Sequence, residues 1–456
     1  MKTVVLIVPS GLTAANILRG PVFQALRAQG DRLRTIIVSP LVHDQEFVTE
    51  FKQPGVELHD LVMHRPGGLE SRLLRLLQES HFRRYPTPGR KARRDEILYG
   101  ERGRYVRAFI RKVLSRLPPR FWSELNGLLV PDRYYADLFK SYTPDMVLAC
   151  TPGVNFAELP LLKRAQREKV FTMAVDTTWD QFTRLEPIRH IDHLIVWSQE
   201  IKRQAVELHE YLPDSVTVCG APQFDIYAQP YLRSSRDDFF KRVGGDPNRC
   251  LITLATSCSR FYPHFGTLIE ILSDAIKRDL LGKPAQLLVR PHPSDDVSQY
   301  EKYEDLQYVF VDRPYRPSVQ AVGGLQVDVT RSDRLHLADT LCHSDVVVTI
   351  GSTISIEACI FDRPTVIVVF DGREHRPYME SVRRYMDHDQ VRAIIQTGGI
   401  RLAWKPEELI EQVRHYLLHP ESERLERRRI VAEQCGVVDG RAGERVAACI
   451  LSRLEN

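Results

Sequence analysis

The chain of 456 residues contains no apolar run that could span a bilayer. Its longest uncharged apolar stretches, Val346 to Ile356 and Pro364 to Phe370, fall far short of the roughly 20 residues a spanning helix needs. The apolar run of the opening segment, Val4 to Val8, is shorter still and stops at Pro9-Ser10-Gly11 without a cleavage pattern. It predicts a buried first strand, not a signal peptide. Cysteine occurs eight times, always singly, with no C-x-x-C pair and no Cys/His cluster at zinc spacing. That excludes a zinc module and a disulfide scaffold, and it suits a reducing, cytoplasmic compartment. Short-period repeats are absent too, which excludes solenoids and propellers.

An excess of one charge is also missing overall, since the net charge is only +4. The distribution is uneven, however. From Arg65 to Arg120 there are sixteen Lys/Arg against five Asp/Glu. Within it, Val106, Phe109, Ile110, Val113, Leu114 and Leu117 recur at helical spacing between Arg104 and Leu117. Arg107, Arg111, Lys112 and Arg116 fill the other positions. A basic amphipathic helix of this kind suits an anionic membrane surface, with residues 65–120 as the contact segment and the protein peripheral on the inner face of the cell membrane. The competing expectation is that its apolar side packs on the N-terminal sheet. Nucleic acid is a poor fit, because aromatics are not interleaved for base stacking.

What is present is alternation. Strand-length apolar runs (Val4–Val8, Thr35–Ser39, Val56–Leu58) are followed by the basic segment, then by Asp145–Cys150, Val170–Val175, His193–Trp197 and Val216–Cys219. After a Pro-, Arg- and Asp-rich stretch the pattern restarts with Leu251–Ala255, Ala285–Val289, Tyr308–Val311, Val346–Ile350 and Thr365–Phe370. Helical patterns at 265–277, 336–342, 352–361, 406–418 and 442–454 separate or follow these. This predicts an α/β chain with two doubly wound, Rossmann-like domains facing a cleft. The expected boundaries are 1–220 for the first domain, with a basic helical insertion at about 65–135, then a linker at 221–250 and a second domain at 251–456. Ligands of such folds bind beyond the carboxyl ends of the strands.

Two motifs carry chemistry. Leu287-Leu288-Val289-Arg290-Pro291-His292-Pro293 ends a buried strand at an arginine and holds a histidine between two prolines, which restrict it to extended geometry. An imidazole there can donate to a phosphate oxygen and stabilise charge on a departing nucleotide. Ser344 to Ala358 reads as strand, glycine turn and hydroxyl-rich helix start. Gly351 permits close backbone approach, Ser352, Thr353 and Ser355 add hydroxyls, and Glu357 can accept from ribose hydroxyls. Ordinary N-capping by Ser352 or Thr353 is the plainer alternative. Asp387-His388-Asp389 has a D-x-D look, but it follows a charged helical stretch and is expected to be a solvated turn, so no metal site is assigned.

Arg-Pro-His-Pro followed by Ser-Asp, an apolar strand and Gly-Ser-x-x-Ser-x-Glu-Ala resembles the donor half of GT-B transferases. The likeness is to the CDP-glycerol glycerophosphotransferases and the bacterial sialyl- and Kdo-transferases with a His-Pro motif. Asp439-Gly440-Arg441-Ala442 resembles the start of their closing helix, implying a C-terminal helix that crosses back. Asp176-Thr177-Thr178-Trp179-Asp180-Gln181-Phe182-Thr183 resembles a Ser-Trp-Asp-Asn-Leu-Thr segment of related chains, at the place where the glycerophosphotransferases carry Trp-His-Gly. The resemblance implies an inverting, metal-independent transferase with no cofactor. Its donor would be a nucleotide-activated sugar or polyol, CMP- or CDP-linked, and its acceptor a surface glycan or lipid-linked glycan. Arg290, His292, Gly351, Ser352, Thr353, Ser355 and Glu357 would hold the donor. Asp180 or Asp176 would be the base. Asp180, beside an indole wall from Trp179, is favoured, and Asp176 is close enough to the strand to cap the turn instead. Asn16 and Arg19 fall where such folds bring acceptor-side loops. Two other functions share the pattern, a non-hydrolysing nucleotide-sugar 2-epimerase and a non-catalytic nucleotide-sugar-binding protein.

Overall fold

Runs of Val, Ile and Leu become the centres of two parallel sheets in the computed structural model, which describes residues 1–100, 105–151, 155–184, 191–258, 262–293, 295–313, 316–317 and 327–455. The chain divides into two units. One comprises Met1–Asp225, Pro317–Val329 and Asp439–Asn456, the other Ile226–Arg316 and Thr330–Val438.

The first unit carries β1 (Lys2–Ile7), β2 (Leu33–Val38), β3 (Val56–His59), β4 (Met146–Ala149), β5 (Phe171–Val175), β6 (His193–Val196) and β7 (Val216–Val218), in the order β3-β2-β1-β4-β5-β6-β7. All pairs are parallel. The central strands are buried along almost their whole length, as expected of a parallel sheet covered on both faces. Between β3 and β4 lies the helical insertion, with α1 (Gly68–Arg84), α2 (Pro88–Gly100), α3 (Tyr105–Leu114) and α4 (Pro119–Leu129). Leu73, Leu76, Leu77 and Trp122 form its own small core, with Leu114 packed against it. The expectation that the rest of the basic helix packs inward is not met. Phe109, Ile110, Val113 and Leu117 are 66%, 49%, 42% and 41% exposed. Arg104 lies outside the described residues, as do the side chains of Val106 and Arg107. Helix α5 (Gln199–His209) leads from β6 to β7.

The second unit has β8 (Cys250–Ala255), β9 (Ala285–Arg290), β10 (Val309–Val311), β11 (Val346–Thr349), β12 (Thr365–Val368) and β13 (Arg401–Ala403), ordered β10-β9-β8-β11-β12-β13 and parallel throughout. The stretch expected as linker contains α6 (Arg236–Val243), capped by Ser235. Its Phe239 and Phe240 are fully buried with Leu251 and Leu288, so these residues are part of this unit. Helices α7 (Arg331–His343) and α8 (Ile354–Ile360) precede and follow β11.

The expected return of the C-terminus takes place. Helix α9 (Ala442–Glu455) places Val446, Ile450 and Leu454 in the core of the first unit. Its start is held by Asp225, which accepts from the Ala442 and Gly443 amides at 2.9 and 2.7 Å. A side chain at Gly443 would lie 2.9 Å from Pro21 Cβ, so this approach requires glycine. The second domain expected at 251–456 therefore gives up its last helix to the first unit. No helix among the described residues is long and apolar enough to cross a membrane.

Candidate functional site

In the second unit the parallel register sets the ends of β8, β9 and β11 along one edge of the sheet, with β8 between the other two. His292 follows β9, Thr256 follows β8 and Gly351 follows β11. The Thr256 hydroxyl accepts the His292 amide at 2.8 Å, and the Thr256 amide donates to the Arg290 carbonyl at 3.0 Å. Thr256 also donates to Asp295 at 3.3 Å, and the Tyr300 hydroxyl meets the same carboxylate oxygen at 2.9 Å. This threonine clamps the histidine loop. Burial lowers the imidazole pKa of His292, more than Asp295 restores, so the ring is neutral at physiological pH and presents one N–H donor.

Arg290 is almost fully buried and pairs with Asp312 at 2.5 Å, while His336 holds the other Asp312 oxygen at 2.7 Å. Burial alone would raise the Asp312 carboxyl, but Arg290 and His336 outweigh it and hold it ionised. The Arg290 charge also reaches Glu357. Burial raises the Glu357 carboxyl, against a hydrogen bond from Tyr227 and the charges of Arg290 and Arg334. Arg290 and Glu357, expected together from their motifs, therefore share one electrostatic cluster. Asp312, His336 and Tyr227 complete it and carried no sequence signal. Asp312 follows the short strand β10, and Tyr227 lies 130 positions from Glu357.

The glycine turn departs from plain capping. Gly351 has φ of 89°, Ser352 Oγ lies 3.3 Å from Thr349 Oγ1, and Thr353 makes no side-chain cap to α8. Ser355 is fully buried, and its hydroxyl has no partner. Asp387 is held by the Tyr378 hydroxyl and by Arg392, and Asp389 opens a helix.

In the first unit, Asp176 follows β5 and is 1% exposed. One oxygen accepts the Thr178 amide at 3.2 Å, as expected of a turn cap, and the other has no partner. Burial pushes its carboxyl well up, aided by the nearby Asp180. Asp180 is instead ion-paired to Arg184 at 2.9 Å. Trp179 is buried beside it. Of the two carboxyls, Asp176 is the one that its position directly after the strand withdraws from water. Glu158 was missed. It accepts the Cys150 and Thr151 amides beyond β4, next to β5, and burial pushes it up to about 8. Asn16 is buried in a π-helical turn, Ala14–Leu18, beyond β1. Arg19 is held by Glu50 at 2.8 to 3.0 Å and by the Val329 carbonyl at 2.9 Å.

Two Rossmann-like units, with an Arg-Pro-His-Pro strand end and a glycine turn on one sheet edge, define a GT-B enzyme of nucleotide-activated group transfer. The family described as CDP-Glycerol:Poly(glycerophosphate) glycerophosphotransferase matches residues 162–452, and the chain belongs to it. Comparison with curated proteins finds no match. Among solved structures, the wall teichoic acid polymerase TagF soaked with CDPG is 11% identical at a TM-score of 0.52, covering 99% of this chain and 88% of that one. The UDP-GlcNAc 2-epimerase of Neisseria meningitidis is 11% identical at 0.54, covering 99% and 100%. A putative UDP-N-acetylglucosamine 2-epimerase of Listeria monocytogenes is 14% identical at 0.56, covering 100% and 96%. These likenesses concern the fold.

Proposed function

We propose that the protein transfers a polyol phosphate, of the glycerol phosphate kind, from a CDP-linked donor to a hydroxyl of a surface-glycan or lipid-linked acceptor. The observation that carries this is the family match across the residues that hold Arg290, His292 and the Gly351 turn. In the step, the acceptor oxygen attacks the phosphorus bearing the polyol. A new P–O bond forms, the bond to CMP breaks, and the acceptor proton passes to a carboxylate. Asp176 is that base. His292 donates its N–H to the departing CMP phosphate, and the backbone and hydroxyls at Gly351, Ser352 and Thr353 bind the same group. Glu357, held by Tyr227, fixes the ribose end, and Arg290 positions Glu357.

No metal is assigned to the step, so chelation by EDTA should leave the rate unchanged. CDP-glycerol should be consumed and CMP released only when acceptor is present. Incubation with UDP-N-acetylglucosamine alone separates this reading from a 2-epimerase, because only an epimerase turns over without acceptor. His292→Ala should lower the transfer rate about 100- to 1000-fold, as loss of one preorganised donor does. Near wild-type turnover in that variant would remove His292 from the mechanism.

The exposed apolar face of α3, flanked by Lys112 and Arg116, supports a peripheral placement on an anionic membrane. Sedimentation with anionic vesicles at low salt should bring the protein down, and Phe109→Ser with Val113→Ser should release it. Failure to sediment would leave the segment without a membrane role.

A further inference from the structure

A second basic feature lies within the first unit, apart from every residue assigned to the transfer reaction. A cavity of about 850 Å³ is enclosed by the end of α1, the turn from α3 to α4, and the end of α5. Four arginines line it: Arg83, Arg84, Arg116 and Arg120. The carboxylate among its lining residues is Glu210, paired with Arg120 at 3.0 Å and bonded by the Tyr85 hydroxyl. Arg83 is fixed by neutral acceptors, the Lys112 carbonyl at 2.6 Å and Ser115 Oγ at 3.0 Å, so its charge is not cancelled there. The Arg116 guanidinium meets no carboxylate among the described residues. The cavity is therefore strongly cationic.

Behind its wall lies a buried, uncharged histidine. His81 is fully buried, and its Nε2 lies 3.2 Å from an Arg90 guanidinium nitrogen, which can only donate. The ring proton then sits on Nδ1, which has no partner. Burial, with His209 and Arg90 beside it, keeps this imidazole neutral. Guanidinium forks arriving from separate elements match a tetrahedral anion with several acceptor oxygens. The volume exceeds what a bare anion needs and leaves room for a headgroup. One edge of the cavity is Leu117, which continues the exposed apolar ridge of Phe109, Ile110, Val113 and Phe121.

We propose that this cavity binds the terminal phosphate of a membrane amphiphile, with the headgroup among Arg83, Arg84, Arg116 and Arg120 and the chains along the Leu117 ridge. Only the lipid half of this rests on the membrane placement proposed above. The phosphate half stands on the cavity alone.

The test is calorimetric titration of the full chain with dispersed short-chain phosphatidic acid, glycerol phosphate and inorganic phosphate, each with and without saturating CMP. The short-chain lipid should bind at one site, indifferent to CMP and more tightly than glycerol phosphate. Arg84→Gln and Arg116→Gln, both at exposed positions that leave the fold intact, should each weaken it by about fivefold. Leu117→Ser should weaken the lipid but not glycerol phosphate. Equal affinity for the lipid and for glycerol phosphate, with no effect of Leu117→Ser, would assign the site to a free polyol phosphate and overturn the lipid half. Displacement by CMP, unchanged affinity in both arginine variants, or no binding of any probe would overturn the site itself. Because the short-chain lipid needs no vesicle, failure of vesicle sedimentation with intact binding here would sink the membrane placement alone.

Discussion

Asp176 and Asp180 stand four residues apart on one loop, and their surroundings separate them. Asp176 keeps one oxygen on the Thr178 amide and the other without a partner in a dry site, while Asp180 is neutralised by Arg184. A base must be ionised to act, and Asp176 ionises only above its raised folded-state value. Transfer should therefore climb with pH as that proton leaves. The same shift costs stability in that window, because the unfolded chain has already released the proton and the folded one has not. Asp176→Asn should lower turnover by about 100- to 10,000-fold and abolish the rising limb, with donor binding retained. Asp180→Asn should keep the limb and move it to lower pH, since the Asp180 charge helps to raise the Asp176 carboxyl. A flat profile in Asp180→Asn, with an intact one in Asp176→Asn, would reverse the roles. Sequence shows both carboxyls at the end of a strand. Which one is dry depends on segments distant in the chain, such as Trp197, whose indole N–H donates to the Asp176 carbonyl at 2.8 Å, and that is not written locally.

At the scale of elements, strands were legible where Val, Ile and Leu run together, as in β9 and β11, because parallel strands covered on both faces need unbroken apolar runs. Strand β13 was not, since only three residues pair and two of them stay half-exposed. Helix α6 was missed for a related reason, as Phe239 and Phe240 are its two core contacts in a charged segment. The motifs placed Arg290 and Glu357, but Asp312, His336 and Tyr227 reach them only through the topology. The turn at Gly351 combines both kinds of information. Its φ of 89° is a conformation L residues avoid, although an added Cβ would meet Val391 only at an ordinary 3.4 Å. Gly351→Ala should therefore cost about 1 kcal/mol through backbone strain and not through overlap. The melting midpoint should drop by a few degrees, and donor KM should rise more than kcat falls. A variant with unchanged donor KM would show that this backbone does not hold the donor.

For the whole molecule, the chain leaves the first unit at Asp225, returns to it for Pro317–Val329 and re-enters it at Asp439, so the first unit is completed only by the segment that begins there. Ile450 is fully buried in that core, and Asp225 closes the circuit by capping the returning helix. Ile450→Ala removes apolar burial and leaves a cavity, together costing about 2 to 5 kcal/mol. Asp225→Ala removes an N-terminal cap, costing about 0.5 to 2 kcal/mol. Both losses belong to the first unit, because the contacts they break lie there. Calorimetry should show one transition moved down in each variant, further for Ile450→Ala, while CMP binding measured well below that transition stays at the wild-type level. The donor groups at Arg290, His292 and Gly351 are built on the other sheet, which explains why nucleotide affinity should survive where stability does not. Weakened CMP binding in Ile450→Ala at low temperature would mean that the C-terminal helix sets the donor site as well as the first unit's core.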